Sequence, residues 1–182
     1  EVMEAVDVLR GHGSDDLREV CTALAENMLM LCNGWDEERA RAEVAEAVAS
    51  GKAFETMKKW IAAQGGNAAA LEDFSLLPQA SVHYELKAPR SGYLAHMDAQ
   101  KIGEASAILG AGRQKKEDSI DYAAGIVLRK KTGDRVEAGE TLAELWTNQE
   151  KSIADSEAEF LSALVWGEEA PQHQPLVLGV IR

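Results

Sequence analysis

Hydrophobic residues in the first seventy positions recur every three or four residues, which is the spacing of one helical face. A first short helix ends at Gly11-His12-Gly13, and Ser14 can cap a second helix. Asp36 can cap a third helix that ends at Ser50-Gly51, and a fourth helix stops at Gly65-Gly66. Four helices are therefore predicted. The hydrophobic stripes of the second and fourth helices consist of Leu17, Val20, Leu24, Met28, Leu31, Phe54, Met57, Trp60 and Ile61.

The period of the pattern changes in the second half of the chain. Residues 67–81 have no sustained period and are predicted to be a linker. From Val82 onward, apolar and polar residues alternate, which is the spacing of a strand. Further strands are predicted at 93–97, 125–128, 142–146 and 175–181, and helices at 98–109 and 149–165. The second half is therefore predicted to be mixed, and the fold class of the chain to be α+β.

Composition and charge exclude several classes of function. The 182 residues are 46% apolar and carry a net charge of −12, which argues against nucleic acid or an anionic membrane surface as a partner. The sequence has no apolar run of about 18 residues and no charged-then-apolar leader. Two cysteines are too few for a disulfide framework. The chain opens at Glu1, inside a predicted helix and without an initiator methionine, so we expect it to be a piece of a longer protein.

A glycine-rich segment, Leu109–Lys116, has two interpretations. Gly110 and Gly112 could let backbone N–H groups approach a phosphate, with Arg113, Lys115 and Lys116 adding positive charge. However, the segment lacks the glycine spacing of the dinucleotide and Walker patterns and follows a predicted helix. A helix C-terminal turn with basic residues at its negative end is therefore the favoured interpretation.

Acidic and imidazole side chains offer weaker candidates. Glu117, Asp118 and Asp121 could serve as an acid–base pair or bind a hard cation, but carboxylates so placed more often form turns. No two of the four histidines have the i, i+4 spacing of a helical metal pair. They are predicted to be surface residues, and they are His12, His83, His96 and His173.

Sulfur-containing and aromatic residues of the helical half are predicted to be core residues. Cys21 and Cys32 lie on one predicted helix, about 16 Å apart along its axis, so they cannot form a disulfide with each other. Both are expected to be buried thiols. The same core placement is expected for Met28, Met30 and Trp60.

Two strand–turn–strand segments, Ala88–Leu94 and Gly133–Leu142, resemble the half-motifs of biotinyl and lipoyl carrier domains. Those domains fold as barrel-sandwich hybrids. A biotinyl carrier presents a modifiable lysine between two methionines, and no Met-Lys-Met occurs in this sequence. The resemblance therefore implies a shared topology more than a shared chemistry.

Taken in order, many short segments resemble the C-terminal part of the pyrimidine-nucleoside phosphorylases, the family that includes thymidine phosphorylase. Each segment alone is weakly specific, but their order and spacing over nearly the whole chain are not. The segments are Glu1-Val2-Met3-Glu4-Ala5, Leu9–Gly13, Asp16-Leu17, Ala63–Asn67, Leu77-Pro78, Ala88–Tyr93, Leu109–Arg113, Lys116–Asp121, Gly125–Leu128, Lys131, Gly133–Val136 and Gly139-Glu140.

The resemblance implies a pentosyltransferase that cleaves uridine, deoxyuridine or thymidine with inorganic phosphate, as a cytoplasmic enzyme. Family members dimerise through an N-terminal helical domain and hold phosphate and base with residues that precede the match to this chain. No Lys-x-Ser-x-Gly-Gly segment occurs here, so we expect no catalytic or substrate-binding residue and no activity from this chain alone. Some bacterial members bind a monovalent cation such as K⁺, and Glu4 matches the glutamate that takes part.

The family fold implies how the chain divides. Residues 1–66 would be the last helices of a central α/β domain, 67–81 a linker, and 82–182 a C-terminal α+β domain with a barrel-sandwich-like (α/β-hammerhead) core. The hydrophobic stripes of the helices would then face a sheet that precedes this chain, leaving an apolar patch exposed. A stand-alone binding or regulatory module on this scaffold and a biotinyl or lipoyl carrier domain remain as alternatives.

Overall fold

Six α-helices and six strands are described in the computed structural model, which covers residues 1–113, 115–172 and 174–181. The chain divides into two units. The first consists of residues 1–77 together with the C-terminal segment from Gln174, and the second extends from Pro78 to the start of that segment. The coarse α+β class predicted from the sequence is confirmed. None of the described helices is long and apolar enough to cross a membrane.

The first unit contains the four predicted helices. They are α1 (Val2–Leu9), α2 (Asp15–Asn33), α3 (Glu37–Ala49) and α4 (Lys52–Ala63). Asp36 caps α3 as predicted, since its carboxylate accepts a hydrogen bond from the Arg39 N–H at 2.8 Å. Ser14 occupies the N-cap of α2 without a side-chain capping bond. Gly34 ends α2 with a φ of 64°, a left-handed conformation that glycine adopts without strain.

A small apolar core joins α1, α4 and the segment that follows them. Val6, Phe54 and Leu71 are buried there. Leu71 lies in the first of two short 3₁₀ helices, Ala68–Leu71 and Phe74–Leu76, within the segment predicted to be a linker. Part of this segment therefore packs against the helices and does not pass freely from one unit to the other.

One face of α2 is uncovered, and this overturns the core placement of several residues. Cys21 and Cys32 are exposed, so the prediction of buried thiols is wrong. Met28 is 59% exposed and lies on the same helical face. Trp60 on α4 is 56% exposed, whereas Met30 is half-buried. The predicted exposed apolar patch is confirmed, because Leu24 and Leu31 also lie on this uncovered face of α2.

The second unit contains two antiparallel three-stranded sheets. Their strands are β1 (Val82–Lys87), β2 (Gly92–Met97), β3 (Gly125–Leu128), β4 (Arg135–Val136), β5 (Thr141–Thr147) and β6 (Leu164–Gly167). One sheet has the order β1-β5-β3 and the other has the order β4-β2-β6. Two helices, α5 (Ala99–Ser106) and α6 (Ile153–Ser162), complete the unit.

Both sheets and both helices contribute to one core in the second unit. Leu86 and Leu145 come from one sheet, Leu94 from the other, and Phe160 from α6; all four are fully buried. The alternation that predicted β1 is reproduced, because Leu86 faces the core while its neighbours in the strand, Glu85 and Lys87, are exposed.

Two predicted elements near the C-terminus are wrong. The last helix ends at Ser162, and residues 164–167 form β6 instead of continuing the helix to Val165. β6 pairs with β2, where Leu94 lies opposite Trp166, so tertiary pairing decides its conformation. The predicted strand at 175–181 is absent from the described residues of that segment, which pair with no other strand.

Candidate functional site

The glycine-rich segment begins inside a wide helical turn, Ala107–Ala111, that directly follows α5. Gly110 is buried with a φ of 108°, and its carbonyl accepts a hydrogen bond from the Asp121 N–H at 2.9 Å. The Leu109 carbonyl accepts one from the Thr147 hydroxyl at 2.7 Å. A Cβ at Gly110 would lie 3.2 Å from the Gln149 Nε2 atom. Gly110 therefore allows the backbone conformation of the turn and its close packing against Gln149.

The basic residues after this turn lie in a loop that closes on itself. The Lys115 N–H donates to the Asp118 carboxylate at 2.8 Å, and the Asp118 N–H donates to the Lys115 carbonyl at 3.1 Å. Arg113, Lys115 and Lys116 are exposed, and Gln114 lies outside the described residues. A phosphate cradle needs backbone N–H groups that converge on an anion. Here a carboxylate of the chain already accepts from the Lys115 N–H, which favours the turn interpretation.

The acidic residues that follow the glycine-rich segment are also placed as turn formers. Asp121 accepts hydrogen bonds from the Ala123 N–H at 3.0 Å and from the Asn148 side-chain amide at 2.9 Å. Its carboxylate therefore fastens the loop to the end of β5. Glu117 is exposed. Among the described residues, no group of three or more His, Cys, Asp or Glu could hold a metal ion.

The described histidines lie apart from one another on the surface. His12 and His96 are exposed. His83 is exposed on β1 and stacks on Trp146 of β5, with ring centroids 4.3 Å apart and planes within 6°. The surface placement is confirmed for these three, whereas His173 lies outside the described residues.

Glu4 lies in the first turn of α1 with an exposed side chain. A carboxylate oxygen suits a hard cation, but such a cation needs several oxygen donors at once. Glu4 can supply one donor of such a set. Its assignment as a cation ligand therefore stays a prediction.

The two half-motifs, Ala88–Leu94 and Gly133–Leu142, are brought together in the second unit. Backbone hydrogen bonds join Ala88 to Glu140 and to Gly139, each at 2.8 Å. The Ala138 N–H donates to the Ser91 hydroxyl at 2.8 Å, so a side chain also bridges the two turns. The two half-motifs are therefore hydrogen-bonded to each other in the second unit.

A charged cluster around Phe54 joins three segments of the first unit. The Arg10 guanidinium lies 4.3 Å and the Lys58 ammonium 5.1 Å from the Phe54 ring centroid. Both cations also contact the Glu72 carboxylate, at 2.6 and 2.9 Å. Hydrogen bonds to Glu55 and then Glu72 raise the pKa of Lys58, and the bond from Lys58 is the main cause of the lowered pKa of Glu72. The cluster therefore links α1 and α4 to the end of the first 3₁₀ helix.

A cavity in the first unit was not anticipated from the sequence. It has a volume of about 820 Å³ and lies between α2 and α3. Glu26 lines it and is only 9% exposed, with its carboxylate 3.6 Å from the Arg41 Nε atom. The alanines at positions 23 and 45, which also line the cavity, are the signal that could have indicated close approach of the two helices.

Comparison with a known protein family covers most of the second unit. Residues 93–165 match the family model described as the pyrimidine nucleoside phosphorylase C-terminal domain. The match begins in β2 and ends in β6. The resemblance to the C-terminal part of this family, predicted from the motifs, is therefore confirmed.

Curated relatives extend the similarity into the helical unit. The chain is 43% identical to the pyrimidine-nucleoside phosphorylase of Geobacillus stearothermophilus. The aligned 152 residues are 83% of this chain. It is 44% identical over 151 residues to that of Bacillus subtilis (strain 168) and 45% identical to that of Staphylococcus aureus (strain USA300), each over 82% of this chain. The matched region amounts to 35% of the length of each relative.

Proposed function

We propose that this chain is the C-terminal portion of a pyrimidine-nucleoside phosphorylase. The observation that carries the proposal is the 43–45% identity to three such enzymes over 82–83% of the chain. The parent would cleave the N-glycosidic bond of uridine, deoxyuridine or thymidine with inorganic phosphate. The products would be a pentose 1-phosphate and the free base.

The chemistry of this reaction requires a phosphate site and a site for the departing base. Phosphate needs converging donors, and the departing pyrimidine needs groups that stabilise its negative charge as it develops. The glycine-rich loop, the best candidate for the first task, has its Lys115 N–H bonded to Asp118. We therefore assign both tasks to the part of the parent that precedes Glu1 and expect the chain alone to be inactive.

The two units have different proposed roles. The helical unit would be the remainder of a central α/β domain, with the exposed face of α2 packing against the preceding chain. The second unit would be the C-terminal domain with a barrel-sandwich-like core, an assignment supported by the hydrogen bonds between its half-motif turns. The dimer contacts and the other donors of a K⁺ site that includes Glu4 would also belong to the preceding chain. A cytoplasmic location goes with this proposal.

Phosphorolysis of uridine and thymidine tests the proposal directly. The release of free base is followed with and without phosphate, for the full-length parent and for these 182 residues. We expect phosphate-dependent release by the parent and none by the isolated chain. Turnover by the isolated chain would contradict the assignment of the chemistry to the preceding region. No turnover by the parent would favour a binding or regulatory module that uses the same scaffold.

The carrier alternative has its own test. The turn between β4 and β5 carries Glu137-Ala138-Gly139-Glu140 and no lysine, which weighs against an attached cofactor there. The intact mass of the protein isolated from its own cells would reveal a biotinyl or lipoyl addition. We expect the unmodified mass, and an addition on a lysine would favour the carrier.

A further inference from the structure

The cavity between α2 and α3 has a third wall that comes from the C-terminal segment, residues 174–181. α2 contributes Glu26 and Met30, α3 contributes Arg41 and Val44, and the C-terminal segment contributes Val177 and Val180. This segment groups with the helices and not with the α+β unit that precedes it in the chain. It therefore returns to the first unit and lies across the groove between its two longest helices.

The chemistry of the C-terminal segment suits a shallow apolar contact. Its described residues, Gln-Pro-Leu-Val-Leu-Gly-Val-Ile, carry no charge and form no helix or strand. Val177 and Val180, which line the groove, are 37% and 51% exposed. Leu178 and Ile181 do not line it and are 84% and 102% exposed. The contact is thus made by two half-buried valines three residues apart.

We propose that residues 174–181 are a strap that docks into the α2–α3 groove through Val177 and Val180 and releases without unfolding the helices. Half-burying two valines favours the docked state by a factor of roughly ten, which leaves a minor but accessible released state. Release uncovers the groove that contains the buried Glu26 carboxylate and its Arg41 partner. The strap therefore controls access of solvent and solutes to this groove.

Protection of a thiol placed in the groove tests the strap in the full 182-residue chain. The exposed Cys21 and Cys32 are first replaced by serine. Ala23→Cys then introduces a thiol in the groove, and Ala42→Cys introduces a control thiol on an exposed part of α3 outside it. The rate of alkylation is measured for each thiol at several protein concentrations.

Two matched pairs of strap substitutions separate docking from a general effect of the segment. Val177→Ser with Val180→Ser removes the groove contact, and Leu178→Ser with Ile181→Ser changes only the residues that do not line the groove. We expect the first pair to accelerate alkylation at position 23 roughly tenfold, as does deletion of 174–182, because the half-burial of both valines is lost. The second pair should leave the rate unchanged, and neither pair should alter the rate at position 42.

Three results would overturn the proposal. The first is equal acceleration by both pairs, and the second is an equal effect at positions 23 and 42, which would indicate unfolding of the helices. The third is protection that increases with protein concentration, since the strap of one copy would then occupy the groove of another. Protection that is specific to position 23 and independent of protein concentration would support the proposal.

Discussion

Gly110 provides the sharpest test of the structural role assigned to the glycine-rich segment. Its φ of 108° lies in the region that side chains with a Cβ avoid, and a Cβ there would lie 3.2 Å from Gln149 Nε2 and 3.4 Å from Asp121 Cβ. Gly110→Ala should therefore lower the free energy of unfolding of the second unit by about 1–3 kcal/mol. The Gln149 end of the clash is a flexible side chain, so backbone strain accounts for most of this cost.

Gly103 is the matched control in the same helical region. It lies inside α5, and a Cβ there would have nothing within 4 Å. Gly103→Ala should stabilise the protein by about 0.4–1 kcal/mol, because alanine loses less backbone entropy on forming a helix. The same chemical change is thus expected to have opposite signs at two positions seven residues apart.

Urea and thermal unfolding, followed by near-UV circular dichroism and tryptophan fluorescence, measure both variants. A change of 1 kcal/mol shifts the midpoint of a domain of this size by about 4–8 °C. A neutral or stabilising Gly110→Ala would refute the argument from backbone conformation. An increase in the midpoint on adding phosphate that is lost in Gly110→Ala would instead favour the phosphate cradle.

Three further predictions concern stability. Leu71→Ala, in the predicted linker, should cost about 2–5 kcal/mol, whereas Leu31→Ala on the exposed face of α2 should change stability by less than about 0.5 kcal/mol, both measured by urea unfolding. Thr147→Val should cost about 1–3 kcal/mol by removing the donor to the buried Leu109 carbonyl, and an unchanged urea midpoint would contradict this. The pKa of Glu72 is lowered from 4.5, so this group stabilises the fold above pH 4.5, and the effect is lost as the pH falls through the lowered pKa. The pKa of Lys58 is raised from 10.5, so this group stabilises the fold below pH 10.5, and the effect is lost as the pH rises through the raised pKa. Glu72→Gln should flatten the acid side of a stability–pH curve, and an unaltered curve would show that the contact contributes nothing.

Local signals were sufficient for most of the secondary structure. Asp36 predicts the start of α3, where its carboxylate accepts a hydrogen bond from the Arg39 N–H, and Ser50-Gly51 predicts the end of this helix. The strands β1 and β2 follow from alternation. Residues 164–167 were missed because Leu-Val-Trp-Gly fits a helix or a strand, and only pairing with β2 selects the strand.

Burial was harder to predict because it depends on what covers a helix. Cys21 and Met28 lie on an apolar stripe of the kind that normally faces a core, yet no described residue covers it. The sequence left open whether the Asp118 and Asp121 carboxylates are catalytic groups or turn formers. Both accept hydrogen bonds from nearby backbone N–H groups, which favours turn formation. The groove under the C-terminal strap joins residues more than 130 positions apart, such as Glu26 and Val177, and no local pattern connects them.

The uncovered face of α2 determines how the isolated protein should behave in air. It presents two thiols, Cys21 and Cys32, and each can form a disulfide with a second copy. A molecule with one reactive thiol stops at a covalent dimer, but a molecule with two can be joined at both and extend into chains. Oxidation without a reducing agent should therefore produce a ladder of covalent oligomers, and replacing either cysteine by serine should reduce the ladder to a single dimer band.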